Sequence, residues 1–103
     1  MNPWRLFTVH GPNVGKTIHL DNPIQFGREP ENDICIPDGK VSRAHAKIEP
    51  TENGYSLTDL GSTNGTFVND RPIDHTVQLR IGDTITIGPA RFLVLAEVVG
   101  DLK

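Results

Sequence analysis

No stretch of this chain longer than ten residues lacks both glycine and proline, because ten glycines and eight prolines are spread along its 103 residues. Proline removes a backbone donor, and glycine costs about 1 kcal/mol inside a helix. Helices of the usual ~11 residues therefore have almost nowhere to form. The segments between the breaks carry strand patterns instead. Ala44, Ala46 and Ile48 alternate with His45, Lys47 and Glu49, the period of a half-buried strand. Val77-Leu79-Ile81 and Thr84-Ile85-Thr86-Ile87 repeat it, with Gly82-Asp83 as a turn between them. Phe92 to Val99 is apolar on both faces apart from Glu97, as expected of a strand covered on both sides. Shorter candidates are Trp4–His10, Thr17–Leu20, Ile24–Gly27, Asp33–Ile36, Tyr55–Asp59 and Thr66–Val68. Many short strands with regular turns predict an all-β sandwich, in which two twisted sheets bury their apolar sides against each other.

A chain of this length builds one core, so a single domain over residues 1–103 is expected. With 36% hydrophobic and 22% charged residues the composition is globular. The N-terminal segment from Met1 to His10 lacks the apolar stretch of a signal peptide, and no run is long enough to span a bilayer. Cys35 is the sole cysteine, which excludes a disulfide within the chain and points, with the missing signal, to the cytoplasm. The formal net charge of -3 argues against broad nucleic-acid binding, which needs a basic face to release counterions. Any basic site must be local.

One familiar motif fails. Gly11-Pro12-Asn13-Val14-Gly15-Lys16-Thr17 ends like a phosphate-binding P-loop, but its glycines enclose three residues where four are needed. The required glycine position is His10. No helix can follow Thr17 to hold phosphates on its amides, since Asn22-Pro23 breaks the chain. A hairpin turn is the simpler reading. His10, His19, His45 and His75 form no close pairs and one cysteine builds no thiolate site, so no metal is expected. Ser42 and His45 have no orienting acid in a recognisable pattern, so an enzyme is not expected either.

Three loops carry the remaining chemistry: Phe26 to Pro30, Gly39 to His45, and Leu60 to Thr66. A phosphate dianion is held without a helix by guanidinium forks, a hydroxyl and backbone amides. Arg28, Ser42, Arg43 and Lys40 supply that set from two loops of an otherwise acidic chain. Gly27 permits a tight strand exit before Arg28, and Asn64-Gly65 makes a turn whose amide suits an extended peptide backbone. Taken singly, each has a duller explanation. Arginines are usually solvated, Ser42 suits any turn, Asn-Gly is an ordinary hairpin signal, and His45 more often hydrogen-bonds structurally than binds ligands.

Order and spacing change that. Gly27-Arg28, then Ser42-Arg43-Ala44-His45, then Asn64-Gly65 resembles the pattern of the forkhead-associated domain. The resemblance extends through Leu60 to Asn69 and Leu79 to Gly88, and covers the chain from about Phe7 to Val98. It implies an eleven-stranded β-sandwich that reads phosphothreonine in an extended peptide of a partner protein, with no cofactor. Arg28 and Ser42 would hold the phosphate, with Arg43 beside them. Lys40, two residues before Ser42, would either add a third positive charge to the phosphate or reach an acidic side chain farther along the peptide. Asn64 would bond the peptide main chain, Thr63 would line the same edge, and His45 would brace the loop presenting Ser42. Gly11 to Lys16 falls at the family's first hairpin turn. The competing reading is a structural assembly module whose contacts do not depend on phosphate; an intact Arg28, Ser42 and Asn64 set favours the reader. Oligomeric state and the residues flanking the phosphothreonine stay open. A chain running from Met1 to Gly100-Asp101-Leu102-Lys103 is consistent with the N-terminal part of something longer.

Overall fold

The computed structural model describes residues 4–97. Eleven strands follow in order, with no helix among the described residues: β1 (Trp4–His10), β2 (Thr17–His19), β3 (Ile24–Gly27), β4 (Ile34–Cys35), β5 (Ala46–Thr51), β6 (Gly54–Asp59), β7 (Phe67–Val68), β8 (Arg71–Pro72), β9 (Val77–Gln78), β10 (Thr84–Ile87) and β11 (Ala90–Ala96). One sheet is ordered β2-β1-β11-β10-β7-β8 and the other β4-β3-β5-β6-β9. The all-β sandwich read from the Gly/Pro spacing is the fold.

Alternation builds it. In β1, Leu6 and Thr8 face inward between Arg5, Phe7 and Val9, and in β5 Ala46 and Ile48 face inward between Lys47 and Glu49. Leu6, Phe26, Ala46, Ile48, Leu57, Ile85, Ile87 and Val94 are fully buried between the sheets. Burying each large aliphatic or aromatic side chain contributes about 1.5–3 kcal/mol. Phe26 of one sheet and Phe92 of the other meet at the centre, ring centroids 5.3 Å apart and tilted by 56°. Trp4 and Tyr55 close the sandwich elsewhere at 5.0 Å. No helix of the described residues is long and apolar enough to cross a membrane.

The segment from Gly11 to Lys16 is the turn between β1 and β2, tied by Val14 N–H to Gly11 O at 3.1 Å and Gly15 N–H to Thr8 O at 2.8 Å. A nucleotide is not needed to explain its glycines.

Four expectations change. Ala44 is exposed and lies before β5, while His45 is fully buried, so the inward alternation starts only at Ala46. The strand expected from Val77 to Ile81 ends at Gln78. Asp83 turns the chain there, its carboxylate accepting from Arg80 N–H at 2.8 Å, and β9 and β10 belong to different sheets. The last strand is Ala90–Ala96, and its Arg91, Leu93 and Leu95 are only partly covered, so it is buried on one face, as antiparallel sheets allow. Val98 and Val99 lie outside the described residues. Finally, β8 contains Pro72 and was not expected; it is an edge strand, where a missing N–H costs no ladder bond.

The sheet order sets the site. β3 pairs with β5 in antiparallel register, Phe26 opposite Ala46, and with β4 in parallel register, Gly27 opposite Cys35. The residues that leave β3 and those that enter β5 therefore emerge side by side.

Candidate functional site

Gly27 is the last residue of β3 and is buried. A Cβ there would lie 2.1 Å from the Arg43 carbonyl oxygen and 2.5 Å from Asn32 Nδ2. Glycine is required by close approach of the 41–43 segment, and not by a strand exit. This contact brings the two basic loops together. Arg28 N–H donates to Ser42 O at 2.9 Å, and the Arg28 guanidinium donates from Nη1 to Val41 O at 3.0 Å. The guanidinium is thus held at its root while its side chain stays 37% exposed, which leaves donors facing outward.

His45 is the hub beneath. It is fully buried. Ser42 N–H donates to Nδ1 at 3.0 Å, so that nitrogen carries a lone pair and Nε2 carries the proton, donated to Gly65 O at 2.9 Å. One imidazole fastens the Ser42 loop to the 60–66 loop. Ser42 Oγ accepts from Thr63 N–H at 3.1 Å, which orients the hydroxyl and leaves its own proton to donate. Gly65 takes a φ of 92°, in the left-handed region, and its N–H donates to Ser62 Oγ at 3.0 Å.

A family model of the FHA domain matches residues 24–88, more than half of the chain and all three site loops. The chain belongs to the forkhead-associated family. It is 44% identical over 92 residues to the oxoglutarate dehydrogenase inhibitor of Corynebacterium efficiens, covering 88% of this chain and 64% of that protein. The chain therefore spans less than two thirds of that relative's length. A solved FHA domain from work on phosphothreonine-dependent FHA domain interactions superposes with a TM-score of 0.79 at 32% identity, covering 94% of this chain and 99% of that one. Mycobacterium tuberculosis EmbR, solved with a low-affinity phosphopeptide, gives a TM-score of 0.85 at 29% identity over 99% of this chain and 26% of its own.

Other expected site residues of this FHA domain sit around that frame. Lys40 and Arg43 are exposed, and no acidic side chain pairs with either among the described residues. The one carboxylate near Arg28 is Glu29, at 3.9 Å from Nε, an exposed contact of small energy. Asn64 Nδ2 donates to Lys40 O at 2.9 Å, so this side chain already bridges the second and third loops. Thr63 contributes its backbone N–H to Ser42, and its side chain is exposed beside Asn64.

Two residues of the frame have no counterpart among the expectations. Asn32 is buried, and Nδ2 donates to both Glu29 O and Arg43 O at 2.8 Å while Oδ1 accepts from Gln25 Nε2 at 2.8 Å. It locks the turn after Arg28 against the Arg43 backbone. Asp59, at the end of β6, gathers the third loop. Its carboxylate accepts from Gly61 N–H at 3.1 Å, Ser62 N–H at 3.0 Å, the Ser62 hydroxyl, and the buried Thr66 hydroxyl at 2.7 Å. Partial burial works to raise its pKa, but the hydrogen bonds from Ser62, Thr66 and Gly61 together hold it below the ordinary 3.8. In sequence, both look like ordinary Asx turn residues; only the spacing of Asp59, three residues before Ser62, hinted at a loop staple.

Proposed function

We propose that this domain is a non-catalytic, cytoplasmic module that binds phosphothreonine in an extended segment of a partner protein. The observation that carries the reading is the Arg28–Ser42 pair. A guanidinium anchored on Val41 O and a hydroxyl oriented by Thr63 N–H stand one backbone hydrogen bond apart, with Arg43 and Lys40 exposed in the same loop. In a chain of net charge -3, that cluster is suited to a localised dianion. Phosphate would be held by Arg28 and Ser42, flanked by Arg43 and Lys40. The Asn64 amide oxygen and the Thr63 side chain would meet the peptide main chain alongside. Gly27, His45 and Gly65 would serve from behind, by fastening the loops together in fixed register.

Relatives support the choice of ligand: one solved FHA neighbour belongs to phosphothreonine-dependent interactions and another was solved with a phosphopeptide. Because the ordering cost is met by the hydrogen-bonded frame before the ligand arrives, binding is expected with little loop rearrangement. Isothermal titration with one threonine peptide in phosphorylated and unphosphorylated forms tests the reading. Binding of the phosphorylated form alone, strengthening as pH rises through about 6 where the phosphate takes its second charge, is expected. Equal affinity for the two forms would leave the phosphate-independent assembly module instead.

A further inference from the structure

Away from the three loops, the sandwich is open between its two edge strands β2 and β4. A cavity of about 210 Å³ lies there, with Ile18, Ile34 and Phe92 as apolar walls and Thr8, Lys16 and Cys35 among its polar groups. Two observations mark it. Thr8 is fully buried and its hydroxyl has no hydrogen-bond partner among the described residues, an arrangement that is costly unless something completes it. Cys35 is the chain's only thiol and is only partly buried. Its S–H donates to the Arg28 carbonyl at 3.4 Å, and its backbone pairs with Gly27.

We propose that Cys35 is a thiol–disulfide exchange site whose adduct occupies this cavity, and that the adduct loosens Arg28. The second half rests on the phosphopeptide reading; the first does not. In the exchange, Cys35 Sγ, as thiolate, attacks one sulfur of a low-molecular-weight disulfide. A new S–S bond forms to Cys35, the old S–S bond breaks, and the departing thiolate takes up the proton that Cys35 gave up. Cys35 is oxidised as the other half of the disulfide is reduced. The favoured reagent carries a carboxylate. Lys16 lines the cavity with no acidic partner among the described residues and can pair with that carboxylate. Asp33, also at the cavity, keeps its charge although it accepts Gln25 N–H at 2.9 Å, so the pairing forms on the Lys16 side. The Thr8 hydroxyl offers a further donor. Once the sulfur is bonded to sulfur, it has no proton for the Arg28 carbonyl. The strand that carries it is also the one paired to Gly27, so the disturbance reaches the residue that anchors the proposed phosphate site.

The test incubates the folded protein with oxidised glutathione and reads intact mass, the Arg28 amide resonance and phosphopeptide affinity. One glutathionyl group per chain in the wild type, removed by dithiothreitol and absent from Cys35→Ser, is expected. Modification only after unfolding in urea would overturn the site. Lys16→Ala should slow the reaction with oxidised glutathione about fivefold and leave the reaction with cystamine, a cationic disulfide, no slower. A wild type that reacts faster with cystamine would overturn the carboxylate preference. The modified protein should shift its Arg28 amide resonance and bind phosphopeptide about fivefold more weakly. Unchanged affinity in a protein that binds the phosphopeptide before modification would overturn the coupling to Arg28. Absence of binding before modification would instead count against the phosphopeptide reading, and the mass and the Arg28 resonance would still decide the exchange site.

Discussion

The two loops that meet at the site are fastened by different chemistry. The 41–45 segment hangs on a fully buried imidazole that accepts from Ser42 N–H and donates to Gly65 O. The 60–66 segment is gathered by Asp59, a half-buried carboxylate at the protein surface. Removing the imidazole empties a fully enclosed position and unpairs Ser42 N–H and Gly65 C=O together. Removing the carboxylate frees the Gly61 and Ser62 amides to water and leaves one buried group, the Thr66 hydroxyl, unpaired. Rigidity of the Ser42 loop is therefore set mainly inside the sandwich, and rigidity of the Asn64 loop mainly at its rim. That contrast predicts unequal losses of stability.

His45→Ala is expected to be the most damaging change. It strands Ser42 N–H and Gly65 C=O at about 1–3 kcal/mol each and opens a void, for a total of roughly 2–6 kcal/mol. For a domain of this size, thermal unfolding should fall by at least about 10 °C, and phosphopeptide affinity with it. A variant with an unchanged melting temperature and no binding would make His45 a ligand contact and end the contrast. Gly27→Ala follows, since its Cβ meets the Arg43 carbonyl at 2.1 Å and backbone must move. A loss of about 1–3 kcal/mol is expected, with chemical-shift changes concentrated at Arg28, Asn32 and Arg43.

Asp59→Ala should cost less, about 1–2 kcal/mol. Its effect should also depend on pH. The folded pKa lies below 3.8, so the carboxylate's contribution is complete above that value and disappears as pH falls through the lower folded value. Urea unfolding of wild type and Asp59→Ala should differ near neutrality and converge in acid, as pH falls through the lowered folded pKa. A gap that persists in acid would mean the loop is held by something other than the charge.

Much of this was legible in the sequence, for reasons that vary by residue. Thr84–Ile87 was readable to the residue because period-two burial is a local signal, and Ile24–Gly27 because Pro23 and the glycine before Arg28 bound a short run. The sheet to which Val77–Gln78 belongs was not, because pairing with Ser56 and Leu57 is decided across twenty residues of chain. At the site, the order and spacing of Arg28, Ser42 and His45, and not their residue types alone, singled out the loops that the structure brings together. Asn32 and Asp59 did not stand out, since an amide or carboxylate in a turn looks the same whether it caps its own backbone or clamps a distant loop. Gly27 was singled out for the wrong reason: its conformation is ordinary, and what forbids a side chain is the Arg43 carbonyl arriving from another strand.

Arg28→Ala should disturb the frame least and the function most. The guanidinium contributes one bond to Val41 O at a partly exposed position, so stability should stay within about 1 kcal/mol of wild type. Loss of one or two charge-assisted bonds to phosphate should weaken binding about tenfold to several hundredfold or more. The decisive measurement is therefore a calorimetric titration of Arg28→Ala with a phosphothreonine peptide, paired with its melting temperature. Binding lost at an unchanged melting temperature is the predicted result. Wild-type affinity in the variant would contradict a phosphate site built on Arg28.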